Sequence, residues 1–282
     1  MSDKDRPAYE IGSAIDPGRK RIGGANQDSL IVLLPAKNHP LPPVVVVADG
    51  MGGYSGGAAA SQIVVQKFSN LYTAAKQDNF SFVPFATEAI DQALVEMQKK
   101  ADADVQYANM GSTVVALSLE GKTVNLVNVG DSRGYLIHNG EMKQINYDHS
   151  FVGEAMRVGL LTPAEAMKHP KKNQLTQSIS ARRSAIKPYF AAIDVDENDL
   201  LFICSDGLWG VVPEAMIQAV VTELPPQQAA EKLVKLANSR GGPDNISVII
   251  CRRSGAKPIN PFIDADETGE IKKVWSIFNK RK

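Results

Sequence analysis

At 282 residues and 44% hydrophobic content, the chain can bury one large core, or two modest ones, without disulfides or other covalent staples. Lysine plus arginine and aspartate plus glutamate number 31 each, so no basic excess marks it for phosphate-backbone contacts, which argues against bulk nucleic-acid binding. No apolar run approaches the roughly 20 residues of a membrane-crossing helix, and the polar start MSDKDRPAYE lacks the apolar centre of a secretory signal. A soluble, cytoplasmic, monomeric protein with no transmembrane segment is expected.

Residues 41–48, LPPVVVVA, form a β-branched run leading into DGMGGYSGG, which reads as a buried strand delivered into a tight loop. Small and apolar residues then recur at helical spacing over 55 to about 75 and again over 84 to about 104, predicting two amphipathic helices. Strands are expected over 112–119, 123–129 and 133–138, the last closed by Asn139-Gly140, a pair suited to a two-residue hairpin because both tolerate positive φ. Residues 150 to about 183 read as an irregular excursion with two short helical pieces, the second opened by Thr162 as N-cap and Pro163 in its first turn. Strands return over 186–193 and 200–204, helices over 213–221 and 227–238, and a last strand over 245–252. This order lacks regular strand-helix alternation. The prediction is an α+β fold in which two antiparallel sheets pack face to face and helices cover their outer faces, giving one domain over 1–253. Residues 254–282 read as a polar, basic tail; Trp275, Ile277 and Phe278 among its lysines leave open a docking peptide.

Four aspartates share a local pattern of strand end or turn with glycine or asparagine alongside: Asp49 in ADGMGG, Asp131 in VGDSR, Asp206 in CSDGLWG and Asp244 in GGPDNIS. One Asp-Gly turn says little. Four of them suit hard, oxygen-preferring cations such as Mg²⁺ and Mn²⁺, with a glycine carbonyl such as that of Gly50 available to the shell. Zinc bound by nitrogen and sulfur is not expected from four scattered histidines and two distant cysteines. Cys204 and Cys251 read as buried thiols, and SDGLWG after Cys204 holds no arginine to bind phosphate, which sets cysteine-nucleophile chemistry aside. The glycine-rich loop over 50–57 lacks the GK[ST] ending of a nucleotide phosphate loop. His149 is either a substrate contact or a hydrogen-bonded structural histidine.

Taken in order, NQD at 26–28, VVVVADGMGG, MGSTVVAL, VNVGDSRGYLI, DHS at 148–150, SDGLWG and PDNISVI resemble the type 2C metal-dependent Ser/Thr protein phosphatases (PPM), the short bacterial type above all. The resemblance spans about residues 10–252. It implies that Asp49 bridges two metal ions, Gly50 offers its carbonyl, Asp206 and Asp244 bind the first ion, Asp28 approaches the second through water, and Asp131 serves a weakly held third. It further implies Mn²⁺ or Mg²⁺ as cofactor, phosphoproteins as substrates, a cognate Ser/Thr kinase as counterpart, a flap over about 150–183, and Arg21 as the phosphate-binding arginine. In chemical terms, two cations roughly 3.5–4 Å apart share and ionise a water that attacks phosphorus, while a guanidinium holds two phosphate oxygens.

Three positions depart from the family pattern. Arg21 stands five residues before Asn26 where relatives place the arginine three before, so either a bulge at Gly23-Gly24 restores it or Arg19 takes the role. Met51 occupies a position where many relatives carry a histidine proposed as general acid. Gly210 replaces the last aspartate of SDGLWD, removing a carboxylate from the third-metal region. The displaced arginine and Gly210 motivate a second expectation, a catalytically weak, phosphatase-like binding or regulatory module.

Overall fold

The computed structural model describes residues 9–35, 41–76 and 80–253. Five antiparallel strands make one sheet, in the order β1 (Tyr9–Asp16), β12 (Ile246–Arg253), β11 (Leu200–Cys204), β7 (Arg133–His138) and β8 (Glu141–Gln144). The other sheet runs β10 (Tyr189–Asp194), β6 (Thr123–Val129), β5 (Val114–Glu120), β3 (Val44–Met51), with β2 (Asp28–Leu33) on the far side of β3. Two short strands, β4 (Gly111–Ser112) and β9 (Ile179–Ser180), extend this sheet from the end of β3.

The alternation of side chains along each strand sorts the apolar residues into three layers. Val45 and Val47 of β3, Val115 and Leu117 of β5, Leu201 and Ile203 of β11, and Ile249 and Cys251 of β12 interleave between the sheets. Val44, Val46 and Ala48 point the other way, onto α1 (Tyr54–Ala74) and α2 (Phe82–Ala103), where Val64, Phe68, Ala89, Ile90 and Met97 receive them. Phe202, Cys204, Val248 and Ile250 face α6 (Glu214–Glu223) and α7 (Pro226–Ser239) through Ile217, Val221, Ala230 and Leu233. The unbroken VVVV and LFIC runs follow from this arrangement, since both faces of those strands are buried. The expected two-sheet sandwich with outer helices is therefore the architecture found. Cys204 and Cys251 are free and fully buried within it.

Local outcomes follow the chemistry of the sequence. Asn139 and Gly140 adopt φ of 49° and 78°, the two positive values a tight hairpin requires. Thr162 caps α4 (Pro163–Lys168) in a complete capping box with Glu165, and Ser150 caps α3 (Phe151–Arg157) by accepting from the Gly153 amide. Three expectations need correcting. Asp49 and Gly50 are not in a loop after the strand: β3 continues through them to Met51, because Asp49 pairs with Asp28 and Gly50 with Ser112. The strand expected over 112–119 breaks at Thr113, whose amide turns to the Asp49 carbonyl. The strand expected from 186 starts at Tyr189. β1 and β2 were not expected: β1 alternates only weakly, whereas β2 carries an apolar run over 30–34 that could have marked it. The tail expected over 254–282 lies outside the described residues.

Tyr135 and Phe202 stack at 4.6 Å between ring centroids and 11° between planes, both shut off from solvent beneath α6 and α7. Phe202→Ala leaves a ring-sized cavity there and should cost about 3–5 kcal/mol of stability, read as a lower denaturant midpoint with unchanged slope.

Candidate metal centre

The candidate aspartates converge at one end of the sandwich because β2, β3, β11 and β12 all reach it there. Asp28 opens β2 directly opposite Asp49 of β3. Asp206 is the first residue of the one-turn helix α5 (Asp206–Trp209) after β11, and Asp244 lies just ahead of β12. Asp131 follows β6 in the turn to β7.

Backbone contacts fix these positions closely. The Asp49 amide donates to Thr113 Oγ1 at 3.0 Å, while its carbonyl accepts from the Thr113 amide at 2.8 Å and from Ser112 Oγ at 3.1 Å. Gly50 donates to the Gln27 carbonyl, and a Cβ on Gly50 would stand 2.0 Å from the Gly57 carbonyl, so only glycine lets α1 press against β3 here. Asn245 ties two remote segments to the site: its Oδ1 accepts from the Gln27 amide at 2.9 Å and its Nδ2 donates to the Pro17 carbonyl at 2.8 Å, while its own amide donates to the neighbouring Asp244 Oδ1 at 2.8 Å. A Cβ on Gly207 would lie 1.8 Å from the Asn245 carbonyl, which brings the start of α5 against the same residue. None of this role for Asn245 was drawn from the sequence, although the polar asparagine of PDN ahead of an apolar strand is the feature that announces it.

The electrostatics of the cluster call for positive charge. Burial, then the negative charges of Asp28, Asp206, Asp131 and Asp244, holds the Asp49 carboxyl well above its ordinary range. Burial raises Asp28 to about 7, against the hydrogen bonds from Ser247 and Ser205 that favour its charged form. Burial and the Asp206 and Asp148 charges raise Asp131 to about 8; burial and the Asp244 charge raise Asp206 to about 6. Asp49 and Asp206 lie close enough that, without a cation, a proton between their carboxyls would relieve the repulsion. A divalent cation does better what that proton does. Asp28 gives a second observation: its Oδ2 accepts from Ser205 Oγ at 2.7 Å and from Ser247 Oγ, while its buried Oδ1 has no hydrogen-bond partner among the described residues. An all-oxygen, acidic, partly buried donor set of this kind fits Mg²⁺ or Mn²⁺ that retain several waters. The five side chains form a wide ring: among the described residues, the one group of three or more ligating side chains within 4.8 Å of one another is instead His138, Asp196 and Asp199, in which His138 and Asp199 are already paired at 2.8 Å.

Arg21 reaches the ring. A 3-10 turn over Arg19–Arg21 is held by Lys20 donating to the Gly242 carbonyl and by Asn238 accepting from the Arg19 amide, and it sets the Arg21 guanidinium 2.9 Å from Asp244 Oδ1. Gly18, at φ 78°, permits this: a Cβ there would fall 2.0 Å from the Asp244 carbonyl. The Arg19 side chain is exposed instead. Behind Asp131, Trp209 Nε1 donates to the Asp131 carbonyl at 3.1 Å, and the Arg133 guanidinium lies 3.5 Å over the Trp209 ring while forking onto Asp148. His149 is 3% exposed and accepts the Gly130 amide at Nδ1, and burial lowers its basicity, so it is a neutral structural histidine. Gly210 caps α5, where a Cβ would sit 2.7 Å from the Asp206 carbonyl; the missing carboxylate is thus accompanied by a closer helix end.

The family model described as Protein phosphatase 2C matches residues 18–241. The serine/threonine phosphatase stp of Listeria innocua is 34% identical over 239 residues, covering 84% of this chain and 93% of that protein. Among solved structures, the S. agalactiae serine/threonine phosphatase superposes with a TM-score of 0.78 at 32% identity, covering 88% of this chain and 100% of the other. The catalytic domain of serine threonine protein phosphatase PstP, in complex with 2 manganese ions, gives 0.74 at 26%, covering 86% and 97%. The chain belongs to the protein phosphatase 2C family.

The raised carboxyls set the pH dependence. In the metal-free native state they hold protons to about pH 6–8, whereas unfolded aspartates release theirs near 4. Native protein therefore binds more protons than unfolded protein across that window, and its stability falls as pH rises. Thermal melts of chelator-treated protein should show a midpoint declining from pH 5 to 8, with Mn²⁺ raising it most at the alkaline end. Asp49→Asn should flatten both trends.

Proposed function

We propose that residues 1–253 form the catalytic domain of a metal-dependent protein phosphatase that hydrolyses phosphoserine and phosphothreonine, with residues 150–183 as its flap. The observation that carries this reading is the cluster of partly buried, mutually repelling carboxylates with a guanidinium at its rim. Asp49 is the residue positioned to serve two ions, since it faces Asp28 across the strand pair and lies close to Asp206. Gly50 would add its carbonyl, Asp206 and Asp244 would hold the first ion, Asp28 would act through water, and Asp131 would serve a third, weaker position left thinner by Gly210. Two Mn²⁺ or Mg²⁺ ions, when bound, supply the Lewis acidity that lowers the pKa of water and offsets phosphate charge.

The chain's own residues do the rest. Arg21 exchanges its Asp244 partner for two phosphate oxygens, fixing the phosphoryl group and balancing the charge that spreads over its equatorial oxygens. The clamped backbone at Asp49 and Asn245 keeps the carboxylates in place while that exchange occurs, so little reorganisation accompanies reaction. Met51 has no proton to give, and the departing alkoxide takes its proton from solvent or another group. The manganese ions in the PstP catalytic domain support the cofactor class. The proposed setting is the cytoplasm, the proposed state a monomer, and the counterpart a Ser/Thr kinase; no helix among the described residues is long and apolar enough to cross a membrane.

Mn²⁺-dependent release of phosphate from a small aryl phosphate and from a phosphothreonine peptide tests this reading. Asp49→Ala and Asp206→Ala should each lower kcat by at least about a hundredfold. Rates equal to the parent in either variant would exclude the mechanism. Arg21→Lys keeps a charge but loses the planar fork, and should raise KM for the peptide and lower kcat together, by roughly tenfold in kcat/KM.

A further inference from the structure

The segment between β8 and β10 has a surface unlike the rest of the molecule. Residues 150–183 carry six basic and two acidic side chains in a chain whose charges balance overall. Both acids are engaged inside the segment, Glu154 with Arg157 at 2.9 Å and Glu165 in the capping box with Thr162. Lys168, Lys171, Lys172 and Arg182 are exposed, and among the described residues none of them is held in an ion pair.

The same stretch shows apolar groups to water. Four of the ten large apolar side chains exposed among the described residues, Phe151, Val158, Leu160 and Met167, fall on α3, α4 and the turn between them. Leu160 and Met167 are 76% and 75% exposed. Phe151 has the His169 ring stacked on it at 5.1 Å and the Lys171 ammonium 4.9 Å from its centroid. Apolar groups gathered beside unpaired cations suit a partner that brings carboxylates and apolar side chains together.

Both ends of the segment grow from the metal centre. At its start the His149 amide donates to the Gly130 carbonyl at 2.9 Å, one residue from Asp131. At its end β9 pairs with β4, which pairs with Gly50 and Met51 of β3. A polypeptide whose phosphorylated side chain reaches the aspartate cluster passes the two ends of this segment.

We propose that α3, α4 and the lysines that follow are a docking surface for the substrate polypeptide, and that it selects phosphoproteins carrying acidic and apolar residues around the phosphorylated Ser or Thr. This deepens the phosphatase reading and rests on it for the identity of the substrate. Charge at such a rim acts mainly through encounter and is screened by salt, whereas the apolar contacts are not.

The experiment uses the full chain and two fluorescent phosphothreonine peptides of equal length, one flanked by Glu and Leu, the other by Lys and Ser. With Mn²⁺, kcat/KM is measured for both peptides and for a small aryl phosphate. The acidic peptide should be favoured by about tenfold, a preference that shrinks several-fold at 0.5 M salt and vanishes in the combined Lys168→Glu, Lys171→Glu and Lys172→Glu variant. Leu160→Ser with Met167→Ser should weaken both salt arms equally. A parallel arm measures anisotropy of the same peptides on chelator-treated protein, where turnover is silent, and the same order of affinity is expected. Equal kcat/KM and equal binding for the two peptides, or a preference surviving the charge reversal, overturns the docking surface. Binding to phosphatidylserine vesicles without discrimination between peptides overturns it in favour of a lipid surface. Loss of all turnover with discrimination intact in the binding arm counts against the phosphatase reading and supports the surface.

Discussion

The constraint that organises the molecule is the crowding of like charges out of water. Asp28, Asp49, Asp131 and Asp206 are each raised by burial and by at least one neighbouring carboxylate, and side chains so placed move apart unless something rigid prevents it. The rigidity comes from the backbone. Asp49 is gripped at both its amide and its carbonyl by Ser112 and Thr113, and Thr113 is itself tied to Ser132 beside Asp131. The sandwich thus supplies a frame stiff enough to hold an unfavourable arrangement that bound divalent cations would convert to a favourable one.

Much of that frame could be read from the residues. Strands β6, β7 and β11 have the limits the apolar runs suggested, because both ends of each run are marked by a turn or a charged residue. The Asn139-Gly140 hairpin and the Thr162 cap were legible because each depends on contacts within a few residues. What stayed hidden was the register between distant parts. β1 alternates weakly and is recognisable only by its partner β12, while β2 gains its place by lying against β3. The extension of β3 through Asp49 and Gly50 has the same origin: glycine and aspartate disfavour strands, and pairing with Ser112 and Gly111 overrides that preference.

The site divides in the same way. Oxygen-donor side chains beside glycines pointed to a hard-cation centre without any knowledge of the fold, and the family resemblance assigned them individual parts. The Gly23-Gly24 pair favoured Arg21 over Arg19, but the contact of the Arg21 guanidinium with Asp244 depends on a 3-10 turn fastened by Asn238 and Gly242 more than two hundred residues away. Asn245 escaped notice for a related reason: its two side-chain bonds go to segments that are neighbours only after folding.

The pairing of β1 with β12 joins Tyr9 to Arg253 and Asp16 to Ile246. During synthesis the first strand of the five-stranded sheet must wait for the last, and the turn bearing Arg21 has nothing to lean on until Asn238, Gly242 and Asn245 have left the ribosome. A nascent chain can build the β3, β5 and β6 layer early, yet it acquires no competence toward phosphate until translation has passed residue 253. A truncation that removes β12 keeps the residues that fasten the guanidinium but takes out the strand between β1 and β11, leaving β1 without its partner.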